Sequence, residues 1–184
     1  MNHVVRFGLT MTLALWVAAC ASKSEINLEQ AEGQTLYTAH AIRVEKQRHY
    51  TSNYQRGSLV PVNSRVVILD SHSGLIKVRL VDGGQELRIH NVSDYSGTNI
   101  DGVFERTFSE TEIDLSGYSE ADRKSIAAGE VEEGMSKDAV IMALGYPPRH
   151  RTSSLEEDEW RYWSTKYDTF VVRFQDGKVV KVQK

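Results

Sequence analysis

Cys20 constrains this chain more than any other residue. It is the only cysteine among 184 residues, so no disulfide can form within the chain. Whatever folds must be held by buried apolar surface, and small modules without covalent staples are only marginally stable. Two modules packed against each other would support one another. The thiol also ends a leader-like segment. Arg6 supplies a positive start, residues 7–17 form an apolar run, and Ala18 and Ala19 lead into the cysteine. The run is too short to span a bilayer, and Ser22, Lys23, Ser24 and Glu25 follow it in place of a stop-transfer flank. Residues 1–19 therefore read as an export signal.

The formal net charge is −3 and the isoelectric point is near 6.1. No strongly basic domain is implied, which argues against nucleic acid as a partner. Residues 20–33 are polar and aperiodic and read as a tether. Residues 34–108 carry β signals. Val66-Val67-Ile68-Leu69 is a short apolar run, and Ile76, Val78 and Leu80 alternate with Lys77 and Arg79. Asp82-Gly83-Gly84 is a tight-turn signal. Residues 93–102 read as a polar loop, after which Phe104 and Phe108 flank Arg106 on one face of a further strand. This spacing of short strands and turns predicts a small barrel or open sandwich.

The period changes beyond residue 109, and 109–118 reads as a linker. Ser119 predicts a helix cap with Asp122 as its partner, and Ser136 predicts a second cap. The first helix is expected over 121–128. The second carries Val140 and Leu144 on one face and stops at Gly145 and Pro147-Pro148. Strands are expected over 160–164, 170–174 and 178–182, with an Asp176-Gly177 hairpin between the last two. Two helices on a three-stranded antiparallel sheet make an α+β arrangement for residues 119–184.

Chemistry-bearing patterns are missing from the sequence. It has no Gly-x-Ser-x-Gly, no phosphate-binding Gly-rich loop and no His-Glu-x-x-His. His40, His49, His72, His90 and His150 are not at metal-ligand spacing, and Glu156-Glu157-Asp158-Glu159 reads as a solvated loop. The expectation is therefore a non-enzymatic protein with no metal or cofactor. The basic loop Arg149, His150, Arg151 and the aromatic strand Trp160, Tyr162, Trp163 are the candidate partner contacts, because aromatic and arginine side chains anchor binding surfaces.

Three resemblances add to this reading. The Val17-Ala18-Ala19-Cys20 segment resembles the lipobox of bacterial lipoproteins, which implies lipidation of Cys20. With Ala21 next, it implies an outer-membrane anchor facing the periplasm. The stretch Gly57-Ser58-Leu59-Val60-Pro61-Val62 resembles a bacterial SH3-like barrel, so residues 34–108 are expected to be one. Such barrels often bind peptidoglycan or peptides, and Tyr37, Tyr50, Tyr54 and Tyr95 would line the groove. Gly134-Met135-Ser136, Val140, Leu144-Gly145, Pro147, Trp160, Tyr162, Val172, Phe174, Gly177 and Val179 resemble the SmpA/OmlA (BamE-like) lipoprotein domain. That family packs two helices on a three-stranded sheet and supports outer-membrane protein assembly without catalysis. Its founding members are this domain alone, so residues 34–108 imply a relative that reuses it. The expected fold is an SH3-like β module followed by a BamE-like α+β domain. The expected function is a lipid-anchored accessory factor that binds an envelope protein.

Overall fold

The computed structural model describes residues 26–184. The export signal, Cys20 and the start of the tether lie outside the described residues. The remainder of the expected tether is already part of the fold. Leu28–Gln30 forms a 3-10 turn capped by Asn27, and Leu28 and Ala31 are buried in the first core. The Gly33 amide donates to the Ile68 carbonyl at 2.8 Å, which fixes where the chain enters.

The strands of the N-terminal half are β1 (Thr35–Thr38), β2 (Ile42–Val44), β3 (Arg48–Tyr50), β4 (Ser58–Val60), β5 (Arg65–His72), β6 (Leu75–Leu80) and β7 (Glu86–His90). Two helices follow, α1 (Ser93–Ser96) and α2 (Ile100–Thr107), and then β8 (Phe108–Ser109). Six strands form one mixed sheet in the order β3-β7-β6-β5-β1-β8. Every pair is antiparallel except β3 with β7. Alternation decides the faces. Leu36, Val66, Ile68, Ile76, Val78, Leu87 and Ile89 point inward and are buried. The inner face is covered by Val103 and Phe104 of α2, by Phe108, and by Ile42, Val44 and Val60 of the separate β2–β4 ribbon.

This is not an SH3-like barrel. The edge strands β3 and β8 stand at opposite ends of the strand order, and the ribbon and helices fill the concavity that barrel closure would occupy. Residues 93–108 also differ from expectation. Asn99 accepts from the Gly102 amide at 3.0 Å and starts a helix where a loop and strand were expected. Phe104 and Phe108 lie four apart, a spacing that both a strand and a helix turn accommodate, and the cap selects the helix.

The C-terminal elements are α3 (Glu120–Ala128), α4 (Lys137–Leu144), β9 (Glu159–Trp163), β10 (Thr169–Gln175) and β11 (Lys178–Gln183). Ser119 and Ser136 cap the helices, accepting from the amides of Asp122 at 3.0 Å and Ala139 at 3.2 Å. The sheet order is β11-β10-β9. Its core holds Ile126, Met135, Ala139, Val140, Leu144, Trp160, Tyr162, Val172, Phe174 and Val179, joined by Val62 from the N-terminal half. Residues 109–118 are pinned, not free. Asn63 donates to the Ile113 carbonyl at 3.0 Å and accepts from its amide at 2.7 Å.

The expected fold class does not hold. Among the described residues the chain is mostly β, with eleven strands in three sheets against four short helices. The C-terminal elements are not a free-standing two-helix, three-strand α+β domain. A β-bridge joins Tyr54 to Trp163, and the carbonyls that end α4 are satisfied by the N-terminal half.

Candidate functional site

The seam between the halves is built on the end of α4. A helix leaves its last carbonyls without intrahelical partners, and these must find donors elsewhere. Here the Ala41 amide donates to the Met142 carbonyl at 2.8 Å. Asn53 Nδ2 donates to Leu144 at 2.7 Å and Tyr146 at 3.0 Å, and Gln55 Nε2 adds a bond to Leu144 at 2.9 Å. The Tyr162 hydroxyl donates to the Gly145 carbonyl at 3.0 Å. These bonds aim the chain outward through the buried Pro147-Pro148 into the loop that carries Arg149, His150 and Arg151.

That loop meets two distant segments. The Arg149 amide donates to the Tyr95 carbonyl at 2.7 Å, and the Arg149 stem covers Gly97, where a Cβ would lie 2.8 Å from its Cγ. The His150 ring lies edge-on to Tyr95 at 4.3 Å and stacks on Trp163 at 6.1 Å and 21°. The Arg151 guanidinium sits over Trp163, 5.6 Å from the ring centre. Tyr54 meets Trp163 edge-on at 6.5 Å. Behind the loop, Thr152 Oγ1 accepts from the Arg161 amide at 3.0 Å. The result is a partly exposed platform of Tyr54, Tyr95, His150, Arg151 and Trp163, with Arg149 at its edge. The Trp163 indole N–H has no hydrogen-bond partner among the described residues. The His150 proton affinity is lowered, first by burial and then by Arg151, against the opposing field of Asp94.

Four of the six expected contact residues come together here: Arg149, His150, Arg151 and Trp163. Trp160 and Tyr162 do not. They occupy the opposite face of β9, fully buried, with Trp160 against Phe174 at 4.7 Å and Tyr162 stacked on Phe170 at 5.5 Å. A strand cannot present both faces to one partner, and this pair belongs to the core. The expected tyrosine groove does not form either. Tyr37 lies on β1, Tyr50 stacks on His90 at 4.8 Å on the outer face of the large sheet, and Tyr54 and Tyr95 belong to the platform. Asn53 carried no sequence signal beyond its residue type. Asparagine tolerates positive φ, and Asn53 has φ of 54°.

Beneath the platform is a cavity of about 40 Å³ lined by His40, His49, Asn53, Tyr95, Arg106 and Tyr146. Each histidine meets a backbone carbonyl through Nδ1, His40 at Ala41 and His49 at Arg43, both at 2.9 Å, so each carries its proton on Nδ1. Burial lowers both proton affinities, that of His49 to about 4. Arg106 lies over the Tyr146 ring at 5.1 Å and donates to the Ser96 carbonyl at 2.9 Å. A wider groove of about 630 Å³ runs on the other side of Gln55 and Leu144, toward Phe170 and Val182. Among the described residues, no three His, Cys, Asp or Glu side chains are grouped to hold a metal ion.

No family model, curated protein or solved structure matches this chain.

Proposed function

We propose that this protein is a lipid-anchored outer-membrane lipoprotein, acylated at Cys20 and facing the periplasm. It acts without catalysis as an accessory factor that binds an envelope protein through the platform of Tyr54, Tyr95, His150, Arg151 and Trp163. The observation that carries the reading is the assembly of this platform. Segments around residues 54, 95, 150 and 163 converge, and ring contacts and an arginine over an indole leave a preformed aromatic surface. Tryptophan, tyrosine and arginine are the residues on which binding energy concentrates, and a rigid surface loses little entropy when a partner docks. The sequence supports the compartment through the apolar run that ends at Cys20.

Two measurements test it. Palmitate labelling should mark the wild-type protein and not Cys20→Ala, and an unlabelled wild type recovered with the soluble periplasm would refute the anchor. Photo-crosslinking from position 54 in intact envelopes should capture a discrete partner that Trp163→Ala and Arg151→Glu lose. Capture of only abundant neighbours, unchanged by either substitution, would refute the binding role.

A further inference from the structure

The outer face of the six-stranded sheet carries a concentration of cations that neither core nor platform uses. Alternation turns Arg48 and Tyr50 of β3, Glu86, Arg88 and His90 of β7, and Lys77 and Arg79 of β6 away from the core, while His49, Leu87, Ile89, Ile76 and Val78 are buried behind them. Register lines up like charges at two pairs, while Arg79 faces Glu86 and Lys77 faces Asp70. Arg48 pairs with Arg88 on the parallel neighbour, and Arg88 pairs with Lys77 on the next strand. Like charges directly opposite on one sheet face repel. Compensation is sparse: Glu86 takes Lys77 at 2.9 Å, and Asp82 takes Arg65 at 2.9 Å at the margin. Asp70 of β5 stands opposite Lys77 and beside His72. Among the described residues no carboxylate lies within salt-bridge distance of Arg48, Arg79 or Arg88. Tyr50, 40% exposed, stacks on His90 within this field. The chain as a whole is net negative, so this face is a local excess.

We infer that this face docks on the anionic phospholipid headgroups of the membrane. The inference rests on the anchoring proposed above. From Cys20 to Ile26 the chain has six residues to cover, a reach of about 20 Å when fully extended. A fold tethered that close returns repeatedly to within the Debye length, about 8–10 Å, over which an anionic leaflet attracts basic side chains, and the tether keeps its effective concentration at the surface high. The face suits this occupant better than a compact anion. Its guanidiniums are spread over three strands of an open sheet and converge on no pocket, and Tyr50 supplies an amphipathic ring of the kind that settles at the headgroup level.

The test uses residues 21–184, which contain every described element and both cores but no acyl chain. The protein is sedimented with vesicles of phosphatidylcholine alone and with vesicles that also contain phosphatidylglycerol. It should bind only the anionic vesicles, and raised salt should release it. Arg48→Glu with Arg88→Glu should weaken binding by about tenfold or more, since each basic side chain near the surface contributes comparably. Arg79→Glu alone gives a milder second variant, and Arg173→Glu on the C-terminal sheet should bind as wild type. Equal binding to both vesicle types, or anionic binding that the β3 and β7 substitutions leave unchanged, would overturn the inference. So would retention on an immobilised acidic polypeptide with no vesicle binding, which would assign the face to an acidic protein. Because the tested chain lacks the anchor, loss of palmitate labelling and loss of vesicle binding are separate results.

Discussion

Asn53 and Leu144, ninety-one positions apart, are joined by a 2.7 Å hydrogen bond that ends helix α4. The amide is 4% exposed, and its second donor goes to Tyr146 at 3.0 Å. The positive φ of Asn53 follows a turn closed by its own amide on the Tyr50 carbonyl at 2.8 Å. A loop of the N-terminal half thus supplies the C-terminal cap of a helix in the other half. The buried Leu144 carbonyl also accepts from Gln55 at 2.9 Å, whereas the half-buried Tyr146 carbonyl takes its side-chain donor from Asn53, so losing the Asn53 amide removes two bonds and leaves Tyr146 to be resolvated at the seam.

Asn53→Ala should therefore lower stability by about 2 kcal/mol, and urea unfolding should show a reduced midpoint with an unchanged slope. The transition should stay single, because the cap couples the halves. A separate early phase from one half would contradict the shared seam.

Acid should loosen the same region. His40 and His49 bind protons less readily in the fold than in the unfolded chain, where the ordinary value is near 6.5, and His49 titrates at about 4. Above pH 6.5 both rings are neutral in both states, and their stabilising contribution is fully present. As pH falls from 6.5 toward 4 the unfolded chain takes up protons that folded His49 refuses. Stability should fall over that window by about 1.4 kcal/mol per pH unit for that ring. His49→Asn should flatten this slope in urea midpoints measured across the window. An unchanged slope would assign the acid sensitivity elsewhere.

Local signals in the sequence were legible where one residue type does one job. Ser119 and Ser136 cap helices, and Asp176-Gly177 turns a hairpin. The large sheet was not legible as a whole. Its edge strand Arg48–Tyr50 is three residues long, follows two positive-φ residues, Lys46 and Gln47, and pairs in parallel with a strand some forty positions on. Alternation over three residues specifies neither partner nor direction. The platform was legible in part. Residues 149–151 and Trp163 stood out by composition, whereas Tyr54 and Tyr95 reach Trp163 and His150 only through tertiary folding. Trp160 and Tyr162 look like contact residues by type, and only the buried side of β9 removes them from the surface.

Gly145 should not accept a side chain. Its φ of 76° and ψ of −174° lie where residues other than glycine are strained, and an added Cβ would sit 3.0 Å from His40 Nδ1 and 3.1 Å from Asn53 Nδ2. Gly145→Ala should cost about 1–3 kcal/mol and lower the thermal midpoint. Gly177, also at positive φ but with nothing within 4 Å of an added Cβ, should be affected less by the same change. Equal losses at both positions would mean that backbone strain, and not the His40–Asn53 contact, sets the penalty.

The two tryptophans of β9 should separate stability from binding. Trp160 is fully buried against Phe174, with the Lys137 ammonium 5.7 Å from its ring centre. Trp160→Ala leaves a large cavity and should destabilise the fold by about 3–5 kcal/mol. Trp163 is only partly buried and packs on Tyr54, His150 and Arg151 at the surface. Trp163→Ala should cost stability by no more than about 1 kcal/mol yet abolish the discrete envelope crosslink, because truncating a surface anchor removes contact area that only a partner would bury. Urea unfolding of the purified variants alongside crosslinking in envelopes gives both readouts. If Trp163→Ala unfolds the protein as readily as Trp160→Ala, the platform is an extension of the core. If it changes neither readout, the platform is not the docking surface.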